Sequence, residues 1–188
     1  MDYILTIVCV ILLIIITVLL VIFMPKPKCY FDPTEISVEL LLLTNDDHFT
    51  NIAEECSKHS DMIIYDQLDQ TNQTNQIGSI PKTYELLRTI PNVRHVHIYT
   101  LDKKTSTAKA KGESYTNDIL RVILPINACN SRKSYIWCDG EKRLFSSGKL
   151  IIYDPSRESQ MINDHRRQST QLLIIDIDRP VDAPRGVA

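Results

Sequence analysis

Tyr3 to Phe23 is a run of 21 residues without a formal charge, interrupted only by the hydroxyls of Thr6 and Thr17. The hydrocarbon core of a bilayer is roughly 30 Å thick and a helix rises about 1.5 Å per residue, so about 20 apolar residues span it. A cleaved signal peptide would carry a basic leader, a shorter apolar core and a small-residue cleavage site. Only Met1 and Asp2 precede the run, and no Ala-x-Ala pattern follows it. The sequence therefore predicts an uncleaved transmembrane anchor over residues 1–24, a short Pro/Lys linker over 25–35, and one domain over 36–188. Of 21 basic and 23 acidic residues, only Asp2 lies before the run. That near-neutral balance in the remaining chain gives no footing for a nucleic-acid partner.

Two signals bear on which side of the membrane the domain occupies, and they oppose each other. Lys26 and Lys28 follow the run, which by the positive-inside rule would leave the domain on the cytoplasmic side. Cys29, Cys56, Cys129 and Cys138 lie beyond it, and four cysteines without a Cys-x-x-Cys spacing suit disulfides in an oxidising compartment. Cys129 and Cys138 flank a short polar segment between strand-like runs and are expected to pair. Asn72-Gln73-Thr74 is a glycosylation sequon, which matters if the domain is lumenal.

Within the domain, Ile36–Leu43 reads as a short buried strand. Asn45-Asp46-Asp47 offers a cap to a helix whose apolar stripe is Phe49, Ile52, Ala53 and Cys56. Thr71–Ser79 reads as a loop. Pro81 suits the first turn of a short helix through Arg88, and Pro91 limits its extension. From residue 93 the pattern changes to strands: Val93–Thr100, Ile119–Ile126, Ser134–Trp137, Leu150–Tyr153 and Gln171–Ile177. Helices followed by several strands predict an α+β, mainly β domain with a sandwich or barrel core.

Three features could carry chemistry. His95 and His97 share a strand face, as two metal ligands would, but Val93 and Tyr99 on that face supply no third ligand, and an exposed strand face is the expectation. Asp176 and Asp178 also share a face, and the Arg179-Pro180 that follows predicts a strand end held by ion pairs. Arg121 interrupts the apolar strand Ile119–Leu124, so its guanidinium must be paired or must reach an anion. No nucleophile elbow, phosphate loop or His-Glu-x-x-His pattern is present.

The order of segments resembles the aspartyl/asparaginyl β-hydroxylase family. Ile80–Leu87 followed by Ile90-Pro91-Asn92-Val93-Arg94 is similar to that family's PKT-x-x-LL and IPGVR opening. Thr116-Asn117 with Leu120-Arg121 resembles its TN-x-x-LR approach to the first core strand. Gly148–Asp154 resembles its G-K-hydrophobic-FDD segment, and Ile174–Ile177 with Pro180 its closing strand. The resemblance covers about residues 80–180 and implies a double-stranded β-helix, or jelly roll. It also implies ancestry among Fe(II)/2-oxoglutarate oxygenases, typically type II membrane proteins acting on Asp or Asn of a protein substrate.

That chemistry needs imidazoles for iron and cations for the 2-oxoglutarate carboxylates. The first iron histidine of the family aligns at Gly112 and the second at Ser159, so no metal site is expected. The cofactor-site histidine two residues beyond Arg121 is Ile123, and the arginine opening the last strand aligns near Thr170, just after Arg166 and Arg167. What remains of a 2-oxoglutarate site is Arg121 with Thr100. If Thr100 points inward, strand parity places His95 and His97 on the opposite face. The resemblance thus implies a membrane-anchored, catalytically inactive hydroxylase-like module without cofactor, binding an unknown protein partner or serving as structure. An Ile/Asn/Asp/Lys-rich composition suits an AT-rich genome such as a large DNA virus's, where the module would belong to the virion membrane. The competing expectation is an atypical 2-oxoglutarate-dependent hydroxylase of a protein substrate, holding Fe(II) through unusual ligands.

Overall fold

The computed structural model describes residues 2–23, 28–66, 78–112, 117–128 and 132–183. Cys129, the sequon Asn72–Thr74 and most of the expected loop lie outside them. Helix α1 (Asp2–Phe23) covers the whole uncharged run. Its described side chains, Ile7 and Val10–Leu19, are exposed and belong to neither hydrophobic core. Counted over these side chains the run is shorter than a membrane span, and no helix among the described residues is long and apolar enough to cross a membrane.

Beyond α1 come β1 (Tyr30–Phe31), α2 (Pro33–Ile36), a 3-10 segment (Val38–Thr44), α3 (Asp46–Cys56), β2 (Ile63–Asp66) and α4 (Pro81–Leu87). The strand-rich part follows: β3 (Val93–Leu101), β4 (Thr105–Ser106), β5 (Ile119–Asn127), β6 (Ser134–Cys138), β7 (Glu141–Leu144), β8 (Ile151–Tyr153), β9 (Ser159–Asn163) and β10 (Thr170–Asp178). A six-stranded sheet has the order β1-β8-β5-β10-β3-β2, and a four-stranded sheet the order β4-β9-β6-β7. Every pairing in both is antiparallel. From β3 onward the chain passes repeatedly from one sheet to the other. That alternation is the double-stranded β-helix, a jelly roll.

Period-two alternation sorts the large sheet's residues between two cores. Val96, Ile98, Leu120, Val122, Leu124, Ile152, Leu173 and Ile175 pack outward against Leu40, Leu43, Ile52, Cys56 and Leu87 of the helical layer. Leu101, Ile123, Ile151, Tyr153, Leu172 and Ile174 pack inward against Ile136, Cys138 and Phe145 of the small-sheet side. The layers are therefore helices, large sheet, small sheet. Asn45 caps α3 by accepting from the Asp47 amide, 3.2 Å away, as the sequence predicts.

Ile36–Leu43 is not a strand. The segment winds as α2 and the 3-10 turn, with Leu40 and Leu43 buried three residues apart. A 3-10 helix has three residues per turn, so this spacing makes one buried stripe from an almost unbroken apolar run. Tyr30 and Phe31, within the expected linker, form the edge strand beside β8.

The expected Cys129–Cys138 bridge is also corrected: Cys138 pairs with Cys29, at a sequence separation of 109. Cys138 ends β6 on its buried face, and Asp139-Gly140, both at positive φ, turn the chain directly into β7. Cys138 thus meets the start of the domain instead of its near neighbour. Cys56 remains a buried free thiol, its pKa pushed up to about 12 chiefly by burial.

Three ion pairs fasten the C-terminal end of β10, as expected there. Arg94 pairs with Asp178, Arg121 with Asp176, and Arg179 with Asp154. The last is the deepest, with side-chain exposures of 3% and 0% and an N···O distance of 2.6 Å. Arg179 also donates Nε to the Asn117 carbonyl at 2.8 Å, so one guanidinium ties β10 to the starts of β5 and the end of β8.

Two outcomes test this layout. Reducing the Cys29–Cys138 bond, or Cys29→Ser, should lower stability by about 2–5 kcal/mol, because cross-linking so long a loop strongly restricts the unfolded chain. A melting temperature indifferent to reductant would contradict the bond. Asp154→Ala strands a buried guanidinium and should cost about 3–5 kcal/mol in urea unfolding. Glu35→Ala, which opens the half-exposed Lys28 pair, should cost under about 1 kcal/mol.

Candidate functional site

Strand register assembles one polar row across the inner face of the large sheet. Tyr30 on β1 opposes Tyr153 on β8, Tyr153 opposes Arg121 on β5, Arg121 opposes Asp176 on β10, and Asp176 opposes His95 on β3. The adjacent row on the same face is Ile151, Ile123, Ile174 and His97. A polar strip thus lies against an apolar one, facing the small sheet.

Arg121 is at the centre. Its Nε donates to Asp176 Oδ1 at 2.6 Å and its Nη2 to Oδ2 at 2.7 Å, a bidentate fork matching guanidinium to carboxylate. The side chains are 25% and 8% exposed. Burial opposes the charge on Arg121, but the Asp176 hydrogen bonds and neighbouring Tyr153 outweigh it and hold its pKa above the usual value. Tyr153 lies beside Arg121 and Ser159, and burial raises its own pKa. Ser159 opens β9 opposite Cys138 and forms an isolated bridge with Ala110. The inner face thus gathers Arg121, Asp176, Tyr153 and Ser159.

His95 and His97 lie on this same inner face, contrary to the parity expectation. Their ring centroids are 5.0 Å apart. His97 is held neutral, its pKa lowered to about 4 by burial first and then by His95 and Arg121, with Asp176 and Asp61 opposing. Its Nδ1 has no partner among the described residues.

Thr100 is the residue that faces away. It shares parity with Val96 and Ile98, which pack against the helices, and its amide donates to Asp61 Oδ1 at 2.9 Å. Its cross-strand neighbour Gln171 reaches the carbonyls of Cys56 and His59 on the same side. Arg121 and Thr100 therefore do not meet.

Thr170 points inward and shares a hydroxyl hydrogen bond of 2.8 Å with Ser134. Gly112 ends a described segment two residues beyond the Ala110 bridge. Among the described residues, no group of three or more His, Cys, Asp or Glu side chains is placed to hold a metal ion. Tyr153 and Tyr30 escaped the sequence reading, since only register places Tyr153 beside Arg121 and Tyr30 beside Tyr153.

Because His97 has a lower pKa folded than free, it binds fewer protons in the native state. Its contribution to stability is complete above pH 6.5 and is lost as pH falls toward 4, by up to about 3 kcal/mol. His97→Gln should flatten this part of the stability profile measured by urea unfolding. An unchanged slope would contradict the burial of the ring.

A search of curated proteins finds no match to this sequence. Among solved structures, a viral collagen prolyl hydroxylase from Paramecium Bursaria Chlorella virus-1 is 12% identical, with 84% of this chain and 96% of that one covered and a TM-score of 0.43. AviO1 from Streptomyces viridochromogenes is 6% identical, covering 76% and 89%, with a TM-score of 0.47. A cupin protein from Bacteroides fragilis is 15% identical, covering 53% and 75%, with a TM-score of 0.38. The family model described as aspartyl/asparaginyl beta-hydroxylase matches residues 32–180. That match takes in the helical layer, both sheets apart from β1, and the polar row apart from Tyr30, and the chain belongs to the aspartyl/asparaginyl β-hydroxylase family.

Proposed function

We propose that this protein keeps the hydroxylase fold without the oxygenase chemistry, and acts as a membrane-anchored module that binds another protein or serves as structure. The observation that carries this reading is the Arg121–Asp176 fork. A guanidinium suited to a dicarboxylate cofactor already has its Nε and Nη2 donors on a carboxylate of its own sheet. The proposed metal positions agree. Gly112 has no donor, and a lone Ser159 hydroxyl is a weak iron ligand. The residues present do not fit an iron and 2-oxoglutarate centre.

One observation favours the alternative, an atypical hydroxylase: His95 and His97 face inward near Arg121. Two imidazoles leave an iron underliganded, and Asp176, the carboxylate opposite His95 on β10, is held by Arg121. The unusual-ligand route would have to break that pair.

Membrane anchoring draws on the uncharged run Tyr3–Phe23 of the sequence, 21 residues where roughly 20 span a bilayer core. Its exposed apolar side chains, uncovered by the domain, fit lipid better than water. The Cys29–Cys138 bond supports an oxidising, lumenal or external side for the domain. Placement in a virion membrane is consistent with both features.

Full-length protein purified with Fe(II) should retain well under one iron per chain and release no succinate from 2-oxoglutarate. Stoichiometric iron with succinate production would overturn the reading.

A further inference from the structure

The 3-10 segment divides its apolar side chains between two environments. Leu40 and Leu43 are fully buried, whereas Val38, Leu41 and Leu42 are 68%, 37% and 40% exposed. These three form an apolar ridge on a seven-residue element. Its place in the chain indicates what lies beside it. Lys28 follows Phe23 by five residues, so at most about 18 Å of extended chain separates them.

Lys28 is also fixed against the domain. Its Nζ donates to both carboxylate oxygens of Glu35, at 3.0 and 2.9 Å, on α2. The Cys29–Cys138 bond and the β1–β8 pairing hold the next three residues. Ser37 ends α2 and begins the 3-10 segment, so the ridge continues directly from the point where α1's connection enters.

We propose that Val38, Leu41 and Leu42 insert into the interfacial layer of the membrane that α1 crosses, seating the domain on the bilayer at this end. The inference rests on the anchoring reading above. Its chemistry is apolar insertion into zwitterionic lipid. Glu35 is balanced by Lys28, and Glu39 accepts from the Ser37 hydroxyl, so the segment offers no net positive charge to acidic headgroups. The contact should therefore be insensitive to salt.

The test uses the full chain in phosphatidylcholine nanodiscs with brominated acyl chains, which quench nearby tryptophan. Leu42→Trp and Val38→Trp, each with Trp137→Phe, probe the ridge. Leu13→Trp with Trp137→Phe probes α1, and Ile63→Trp with Trp137→Phe, on β2 at the edge of the large sheet opposite β1, serves as the distant control. The ridge and α1 probes should each lose about half or more of their emission relative to unbrominated discs, at low and high salt, while the Ile63→Trp probe keeps its own. Quenching of Leu13→Trp with bright ridge probes would overturn the seating and leave the anchor intact. Bright probes at all three positions would overturn both. Bright ridge probes with chain dimers in mass photometry would assign the ridge to a second copy, also overturning the proposal. An intact Cys29–Cys138 bond in each variant, read by mass spectrometry, establishes that the domain is folded.

Discussion

The bidentate pairing of Arg121 with Asp176 is the constraint on which the inner face depends. A guanidinium amid isoleucines and a tyrosine is tolerable only if its charge is answered, because burying an unpaired cation costs several kcal/mol. The answer comes from the adjacent strand in the register that puts Arg121 opposite Asp176. The same register places Tyr153 on Arg121's other side and His95 beyond Asp176. A one-residue slip would send Arg121 into the helix-side core and expel Val122 from it. The ion pair and the outward apolar alternation therefore specify the same alignment.

The remainder of the architecture holds that alignment at its margins. Arg179 and Asp154 clamp the end of β10 to β8, and Arg94 with Asp178 clamps it to β3. The Cys29–Cys138 bond joins the edge of the large sheet to the end of β6. Helices α3 and α4 are themselves joined by Glu55, which accepts from the Lys82 and Thr83 amides at 3.1 and 2.8 Å. These contacts leave the polar row as the interior's concentrated charge, largely satisfied from within.

Much of this was legible in the residues. Helix α3 followed from its Asn45 cap and apolar stripe, α4 from Pro81, and the principal strands from alternation. The family followed from the order of its segments. Three things were not legible, each for a physical reason. Before Asn45, Ser37 and Glu39 alternate with Ile36, Val38 and Leu40 as in a strand, and Leu40–Leu43 has no polar residue to reveal a period of three. The inner face of β3 was assigned from Thr100, but the alternation of Val96 and Ile98 against the helical layer decides the opposite way, bringing His95 and His97 inside. Disulfide partners distant in sequence leave no local mark. Strand β7 did leave one, because Asp139-Gly140 is the two-residue turn that hairpins favour. Reading it would have separated Cys138 from Cys129.

The account turns on a carboxylate of the protein standing where a cofactor's carboxylate would go. Calorimetric titration of succinate and 2-oxoglutarate into the wild-type protein and into Asp176→Ala examines that directly. The account predicts no measurable binding to the wild type, and binding to Asp176→Ala that disappears when Arg121→Ala is added. Binding of 2-oxoglutarate to the wild type that Arg121→Ala abolishes would contradict it.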